Sequence, residues 1–329
     1  MFLITKVYKT PLRISFAGGG TDIEPFSTKH GAFIVGIPIN IYVTGSCKKI
    51  GSNDMNPTIL VRDLSQVLKI KGSFETKLEN ALIKTFKNHL KNFSICYEFR
   101  SPTKAGSGLG ASSGIVVNAV HCISDYLRLN YDYKKIANIS FQMEREEMKI
   151  YGGFQDNFAC AYAKPYIVQS NRKVKKIREL QIDLKTLKKL EHKSFLIDLG
   201  LPRKGENIIS HQMKAMKYST HRINNYLELQ KDIAINLAQK LRLGDTSNFG
   251  ETIQESWNLK KLTSSKITNS KIEKVELLLR KLQVEGFKVV GAGGGGHMLV
   301  ITHNGTKERI MEELANRNLK IKEFKYVYE

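Results

Sequence analysis

Between Ser101 and Gly114 the chain reads SPTKAGSGLGASSG, with four glycines and four serines in fourteen positions. An alternating stretch, SICYEFR, precedes it, and an apolar run, IVVNAVHCISDYL, follows. A loop of this kind at the mouth of a helix suits phosphate. The helix start offers unpaired N–H groups and a partial positive charge, and glycine lets an anion approach the backbone. The alternative is a mobile linker. Gly106-x-Gly108-x-x-Ala111 matches a loose dinucleotide fingerprint, but the region about 20 positions on, near Asp125, still reads as helix rather than as a strand ending in an acid. No Gly-Lys-Ser/Thr closes the loop, so it is not a Walker A element. What remains is Pro102, then Gly106, Ser107, Gly108, Leu109, Gly110 and Ala111, with Ser112 and Ser113 opening a helix. A hydroxyl at that point can ligate the Mg²⁺ that accompanies a polyphosphate.

Two more glycine-rich stretches stand near the ends of the chain. TPLRISFAGGGTDIEPF carries Arg13, Thr21 and Asp22, and VVGAGGGGHMLV carries Gly293 and Gly294. Between them, Glu144 and Asp156 lie twelve positions apart across Gly152-Gly153. An isolated acidic pair is ordinarily surface charge, and Glu146 and Glu147 beside Glu144 allow a solvated helix face. His297 reads as a space-filler rather than a ligand.

The three glycine motifs, in this order, resemble those of the GHMP kinase superfamily, whose phosphate loop runs Pro-x-x-x-Gly-Leu-Gly-Ser-Ser-Ala. The resemblance covers essentially the whole chain. It implies ATP and Mg²⁺ as cofactors, with Pro102 and residues 106–113 around the nucleotide. It also implies that Glu144 and Ser112 form the metal pair, although Ala111-Ser112-Ser113 departs from the family's Ser-Ser and leaves Ser113 as the alternative. Asp156 in YGGFQD becomes the base, and Arg13 stabilises the nucleophile or the transferring phosphoryl group. AGGGTD resembles the anomeric sugar kinase branch, which contains heptose 7-phosphate kinases and fucokinases; fucokinase domains carry a bulkier GGWTD. The acceptor implied is the anomeric hydroxyl of D-glycero-D-manno-heptose 7-phosphate, giving the 1,7-bisphosphate for nucleotide-activated heptose and surface polysaccharide. Thr21, Asp22, Gly152, Gly153, Gly293 and Gly294 would line the sugar side. Arg203 and Lys204, after LIDLGLP, would take its phosphate, with Lys260 or Lys261 of ESWNLKKL adding to them. The runners-up are another small-molecule kinase of the same fold and a catalytically silent regulator. The resemblance admits a homodimer.

These residues need elements to hold them. The first third reads as strands (residues 7–19, 31–47 and 58–63), a helix over 77–93, and a strand over 94–100. Helices follow from about Ser113 to Leu127 and over 133–151, the latter stopped by Gly152-Gly153. A short helix over 157–164, a strand over 194–200 and long helical patterns over 206–241, 248–262 and 270–286 come next. Two strands then flank the last glycine turn, a helix covers 307–317, and a final strand covers 320–328. The expectation is an α+β, two-domain kinase fold divided into residues 1–185 and 186–329, with the active site in the inter-domain cleft. The charge-rich stretch from Asn171 to Lys193 marks the boundary. The net charge of +21 comes from widely spread lysines, with neither zinc-finger spacing nor an aromatic RNA-binding signature, so it reads as a solvated surface that attracts phosphorylated ligands rather than nucleic acid. No apolar run is long enough for a membrane span, and no signal-peptide pattern opens the chain. Cys47, Cys96, Cys122 and Cys160 are scattered, as expected of buried thiols in a reducing cytoplasm.

Overall fold

The structure is a computed structural model that describes residues 6–328 apart from 51–55, 66–72, 91, 105, 172–173, 201–204 and 219. Its first sheet is built around one long strand. β1 (Tyr8–Ala17) turns back through helix α1 (Phe26–His30) into β2 (Ala32–Lys49), then β3 (Ile59–Asp63), helix α2 (Ser73–Phe86) and β4 (Ile95–Arg100). Val35 and Gly36 pair with both β1 and β5 (Tyr166–Asn171), while Thr44 and Gly45 pair with both β1 and β4. β1 therefore lies along one edge of β2, and β4 and β5 follow each other along the opposite edge. β3 runs parallel to β4, and β6 (Val174–Glu179) closes the far side.

Helix α3 (Ala111–Tyr126) packs on β1 and β2 closely enough to require a glycine. A Cβ on Gly114 would stand 2.9 Å from Leu12 Cδ2 and 3.5 Å from Val43 Cγ2. Its buried Asn118 is satisfied on both sides: Nδ2 donates to Tyr8 O and Thr10 Oγ1, and Oδ1 accepts from Tyr97. Helix α4 (Tyr133–Gln142) starts on Asp132, whose carboxylate accepts from Lys135 N–H, and continues into a π-type turn at Met143–Glu147. Helix α5 (Gln155–Tyr162) follows the Gly152-Gly153 break.

The second sheet is antiparallel, in the order β10 (Lys320–Lys322), β7 (Ser194–Asp198), β9 (His297–Ile301) and β8 (Gly286–Val289). Its core gathers Phe195, Trp257, Phe287, Leu279 and Ile310, drawn also from α9 (Phe249–Lys261), α10 (Ser270–Lys281) and α11 (Lys307–Ala315). The long helical pattern over 206–241 is two helices, α7 (Gly205–Tyr218) and α8 (Thr220–Arg242). α8 sends Ala234, Leu237 and Leu241 into the core of the first sheet. The two halves are thus welded rather than strung together. Phe16 of β1 meets Phe249 edge-on at 5.1 Å, and Asn40 N–H and Val327 N–H tie the chain end to β2.

The structure adds detail at two places. The stretch from Asn171 to Lys193 contains structure, β6 and helix α6 (Leu184–Lys193), and the division at 185/186 falls inside α6. β6 escaped notice because only Ile177 is buried on it; a lysine-rich edge strand shows little apolar alternation. The final strand ends at Lys322, and Tyr326 then bridges to Ile39 in the other sheet. All four cysteines are buried free thiols, and no helix among the described residues is long and apolar enough to cross a membrane.

Candidate active site

The loop before α3 is shaped by alternation. Gly106, Gly108 and Gly110 have φ of +82°, +87° and +80°, so every second residue is left-handed, a backbone pattern suited to holding an anion. Gly110 is the residue from which α3 starts. Ser107 works inside the loop, accepting from Thr103 Oγ1 at 3.1 Å and Leu109 N–H at 3.4 Å. Leu109 is fully buried, whereas Pro102 is exposed.

The last glycine motif closes on this loop from the second sheet. His297 N–H donates to Ser107 O at 3.0 Å, and His297 Nδ1 lies 2.8 Å from the same oxygen. A Cβ on Gly296 would collide with Ser107 O. The contact therefore belongs to Gly296 and His297, and His297 is a polar strut rather than filler. Gly293 and Gly294 instead pack on Ile267 and Ile208, with Gly294 N–H donating to Ile267 O at 2.6 Å.

Arg13 joins the loop to the carboxylate expected to be the base. Nη1 donates to Gly108 O at 2.6 Å, while Nε and Nη2 reach Asp156 Oδ1 at 2.8 and 2.7 Å. The guanidinium is buried and Asp156 is about one-third exposed. Burial alone would lower the Arg13 pKa, but Asp156, helped by Tyr166 and Cys160, offsets it and the group stays above its ordinary value. Both bonds fall on Oδ1, and Oδ2 has no hydrogen-bond partner among the described residues.

Glu144 is fully buried, not part of a solvated face; its neighbour Glu147 instead pairs outward with Lys84. The π-type turn accounts for the inward position, since it adds a residue to the helical register. Glu144 accepts from Ser113 Oγ on both carboxylate oxygens, at 3.0 and 2.9 Å, and from Asn157 Nδ2 at 2.8 Å. The structure thus brings Ser113, not Ser112, to Glu144; Ser112 is half-buried one place round the helix. Burial pushes the Glu144 carboxyl up, against the pull of Arg145 and its hydrogen-bond donors. Asn157 Oδ1 is buried and has no hydrogen-bond partner among the described residues, the situation expected beside a hydrated cation. Among the described residues no three acidic, His or Cys side chains cluster as a metal site. This oxygen-only set fits Mg²⁺ held chiefly by phosphates and water.

On the far side of Asp156 lies Asp22. It is buried, accepts from Gln155 N–H at 3.0 Å, and occupies the space where Gly153 would carry a Cβ. Burial raises its pKa, resisted by that N–H and by Lys260. Thr21 does not face this space. It is completely buried, its hydroxyl donating to Gly18 O and accepting from Phe33 N–H, so it pins the turn to β2. Lys260 and Lys261 part company: Lys261 pairs with Glu276 at 2.7 Å, while Lys260 Nζ reaches Gly291 O and lies 3.4 Å from where Gly19 would carry a Cβ. Arg203 and Lys204 fall outside the described residues.

Sequence reasoning missed Arg145, Gln155, Asn157 and Lys288. Lys288 is buried on β8 and donates to Ser15 O and Phe16 O at 2.8 and 2.7 Å, where the β1–β2 register shifts. Burial, with Lys260 and Arg13 nearby, holds its pKa well below the ordinary value. A lone lysine in a strand pattern gives no sign of this. Gln155 acts through its backbone N–H, which carries no sequence signal.

Comparison with known proteins agrees with this geometry. The GHMP kinases N terminal domain matches residues 77–164, and the GHMP kinases C terminal domain matches residues 237–321. The chain is 25% identical to the D-glycero-alpha-D-manno-heptose 7-phosphate kinase of Campylobacter jejuni, over 98% of this chain and 96% of that one. It is 23% identical to the L-fucokinase/L-fucose-1-P guanylyltransferase of Bacteroides fragilis, over 89% of this chain and only 34% of that much longer protein. The crystal structure of a D-glycero-D-manno-heptose 1-phosphate kinase from Bacteriodes thetaiotaomicron superposes with a TM-score of 0.76 at 21% identity, covering 98% and 96% of the two chains. With both family domains in register along one chain, and the phosphate loop and its closing glycine turn in contact, this protein belongs to the GHMP kinases.

Proposed function

We propose that this GHMP kinase transfers the γ-phosphoryl group of ATP to the anomeric hydroxyl of D-glycero-D-manno-heptose 7-phosphate, in the cytoplasm. The observation that carries the reading is Arg13, whose one guanidinium holds Gly108 O of the phosphate loop and Asp156 Oδ1 in a single frame. Phosphoryl transfer asks the protein mainly for positioning and charge stabilisation, and this frame supplies both. Asp156 presents Oδ2 to the acceptor hydroxyl and takes its proton; an anomeric hydroxyl is acidic enough for a carboxylate to serve. Glu144 and Ser113 would hold Mg²⁺, which when bound offsets the charge of the phosphates. Asp22 accepts from sugar hydroxyls, and Lys260 contributes positive charge beside the glycine turn at residues 18–20. The choice of heptose phosphate rests on the similarity to the Campylobacter jejuni enzyme and on the AGGGTD turn.

The test is ATP consumption across D-glycero-D-manno-heptose 7-phosphate, mannose, fucose, galactose and mevalonate, with Asp156→Asn alongside. Asparagine still accepts from Arg13 but removes the proton acceptor together with the counter-charge of a buried guanidinium, so a melting curve of the variant accompanies the assay to separate lost chemistry from lost folding. Turnover confined to the heptose phosphate, with kcat lowered roughly 10²–10⁴-fold in the variant, is the expected result. Turnover of an unphosphorylated sugar would keep the kinase and discard the substrate; an active Asp156→Asn would discard the base.

A further inference from the structure

Arg145 stands between the proposed cation carboxylate and the proposed sugar turn. It follows Glu144 on the π-type turn, and its side chain is 18% exposed. Its guanidinium lies over the Phe141 ring, 5.0 Å from the centroid. From there it donates to three carbonyls of one short segment: Nη1 to Ile150 O at 2.9 Å, Nε to Gly152 O at 3.0 Å and Nη2 to Gly153 O at 2.5 Å. A longer contact of 3.4 Å reaches Glu144 Oε2. A guanidinium spreads its donors over three nitrogens in a fixed plane, so it reaches carbonyls set apart along the segment, whereas an ammonium must reach them all from one atom.

The gripped segment is also the one that touches Asp22. Gly153 lies so close to the Asp22 carboxylate that no side chain fits there, and Gln155 N–H is bonded to it. A Cβ on Gly152 would come within 2.7 Å of the guanidinium itself. Residues 151–153 belong to no helix or strand, so between Ile150 and the buried Phe154 the side-chain bonds from Arg145 hold the segment beside Asp22. We propose that Arg145 is a positioning residue for the acceptor: it fixes residues 150–153 so that Asp22 and Asp156 face the same sugar. The inference rests on the reading of Asp22 as the sugar-binding carboxylate.

Arg145→Lys keeps the positive charge and loses the fork; Gly153→Ala keeps Arg145 and forces the turn off Asp22. Both should raise KM for D-glycero-D-manno-heptose 7-phosphate roughly tenfold or more, while KM for ATP stays within about twofold. An unchanged sugar KM in Arg145→Lys, an equal rise in both KM values, or a lowered Tm with both KM values intact would overturn the proposal. Amide hydrogen exchange of the ligand-free protein gives a readout that survives failure of the substrate assignment. In Arg145→Lys the Gln155 amide should exchange faster, with the amides of α3 unaffected; unchanged protection at Gln155 would sink the positioning role whatever the substrate.

Discussion

The proposed nucleotide side and the proposed acceptor side of this site are built by opposite means. On the proposed nucleotide side, three alternating left-handed glycines lead into the start of α3, and the loop's own serine and threonine tie it internally. On the proposed acceptor side, the work falls to side chains drawn from across the chain, Asp22 and Lys260 buried, Arg145 and Asp156 partly so. A backbone site needs contiguous residues with special dihedrals. A side-chain site needs charges whose burial is offset by partners far away in sequence. The first is robust to most substitutions except at its glycines; the second fails whenever one partner is lost.

Arg13 belongs to both sides, so replacing it gives the largest expected effect. Arg13→Lys can keep one of the bonds to Gly108 O and Asp156 but not the fork. Loss of kcat by about 10²–10³-fold is expected, with KM for ATP and for the sugar both raised. If only one KM moves, Arg13 serves a single side and the division drawn above is complete without it.

Next in size is the pair of serines at the head of α3. Ser113 Oγ lies within hydrogen-bond reach of both oxygens of Glu144, and no bond between Ser112 and Glu144 is seen among the described residues. Ser113→Ala should raise the Mg²⁺ concentration needed for half-maximal rate by roughly 10- to 100-fold, whereas Ser112→Ala should stay near wild type. The reverse ranking would return the metal role to Ser112. Here the limit of sequence reading is plain. The loop, its glycines and the helix start were legible because they are local. Which of two adjacent serines faces a carboxylate thirty-one positions away depends on the helix phase and on a π-type turn in another helix. The same holds for Arg145, hidden in a run of charges, and for Thr21, whose place beside Asp22 suggested sugar binding although its hydroxyl is spent on the backbone. β6 was hidden for a related reason: its partner β5 makes it a strand, not its own composition.

A smaller effect is expected from Gly110→Ala. The position has φ of +80°, and the new Cβ would stand 3.4 Å from Arg13 Nε, so both strain and contact oppose it. A left-handed alanine costs about 1–2 kcal/mol. If nucleotide binding needs that conformation, KM for ATP rises roughly tenfold with sugar KM unchanged. Gly305→Ala is the control, since it also has positive φ but its Cβ would meet nothing within 4 Å. Equal effects on ATP binding in the two variants would mean that the loop's left-handed geometry is not what binds phosphate.

The smallest effect concerns stability and has an unusual sign. Burial raises the Asp22 pKa above the ordinary value of 3.8, so the folded protein holds this proton more tightly than the unfolded chain does. Between the ordinary and the raised value the folded state carries more protons, and stability must fall as pH rises through that window. Below the ordinary value both states are protonated and the penalty vanishes. Asp22→Asn removes the charge and can still accept from Gln155 N–H, so at neutral pH it should melt slightly higher than wild type, by no more than about 4 °C, while losing activity. The gain should shrink to nothing in melts near pH 3.5. A variant that is less stable at neutral pH, or whose advantage grows with acid, would mean that the Asp22 charge is well solvated in the fold. The acceptor side would then bear no strain that the nucleotide side lacks.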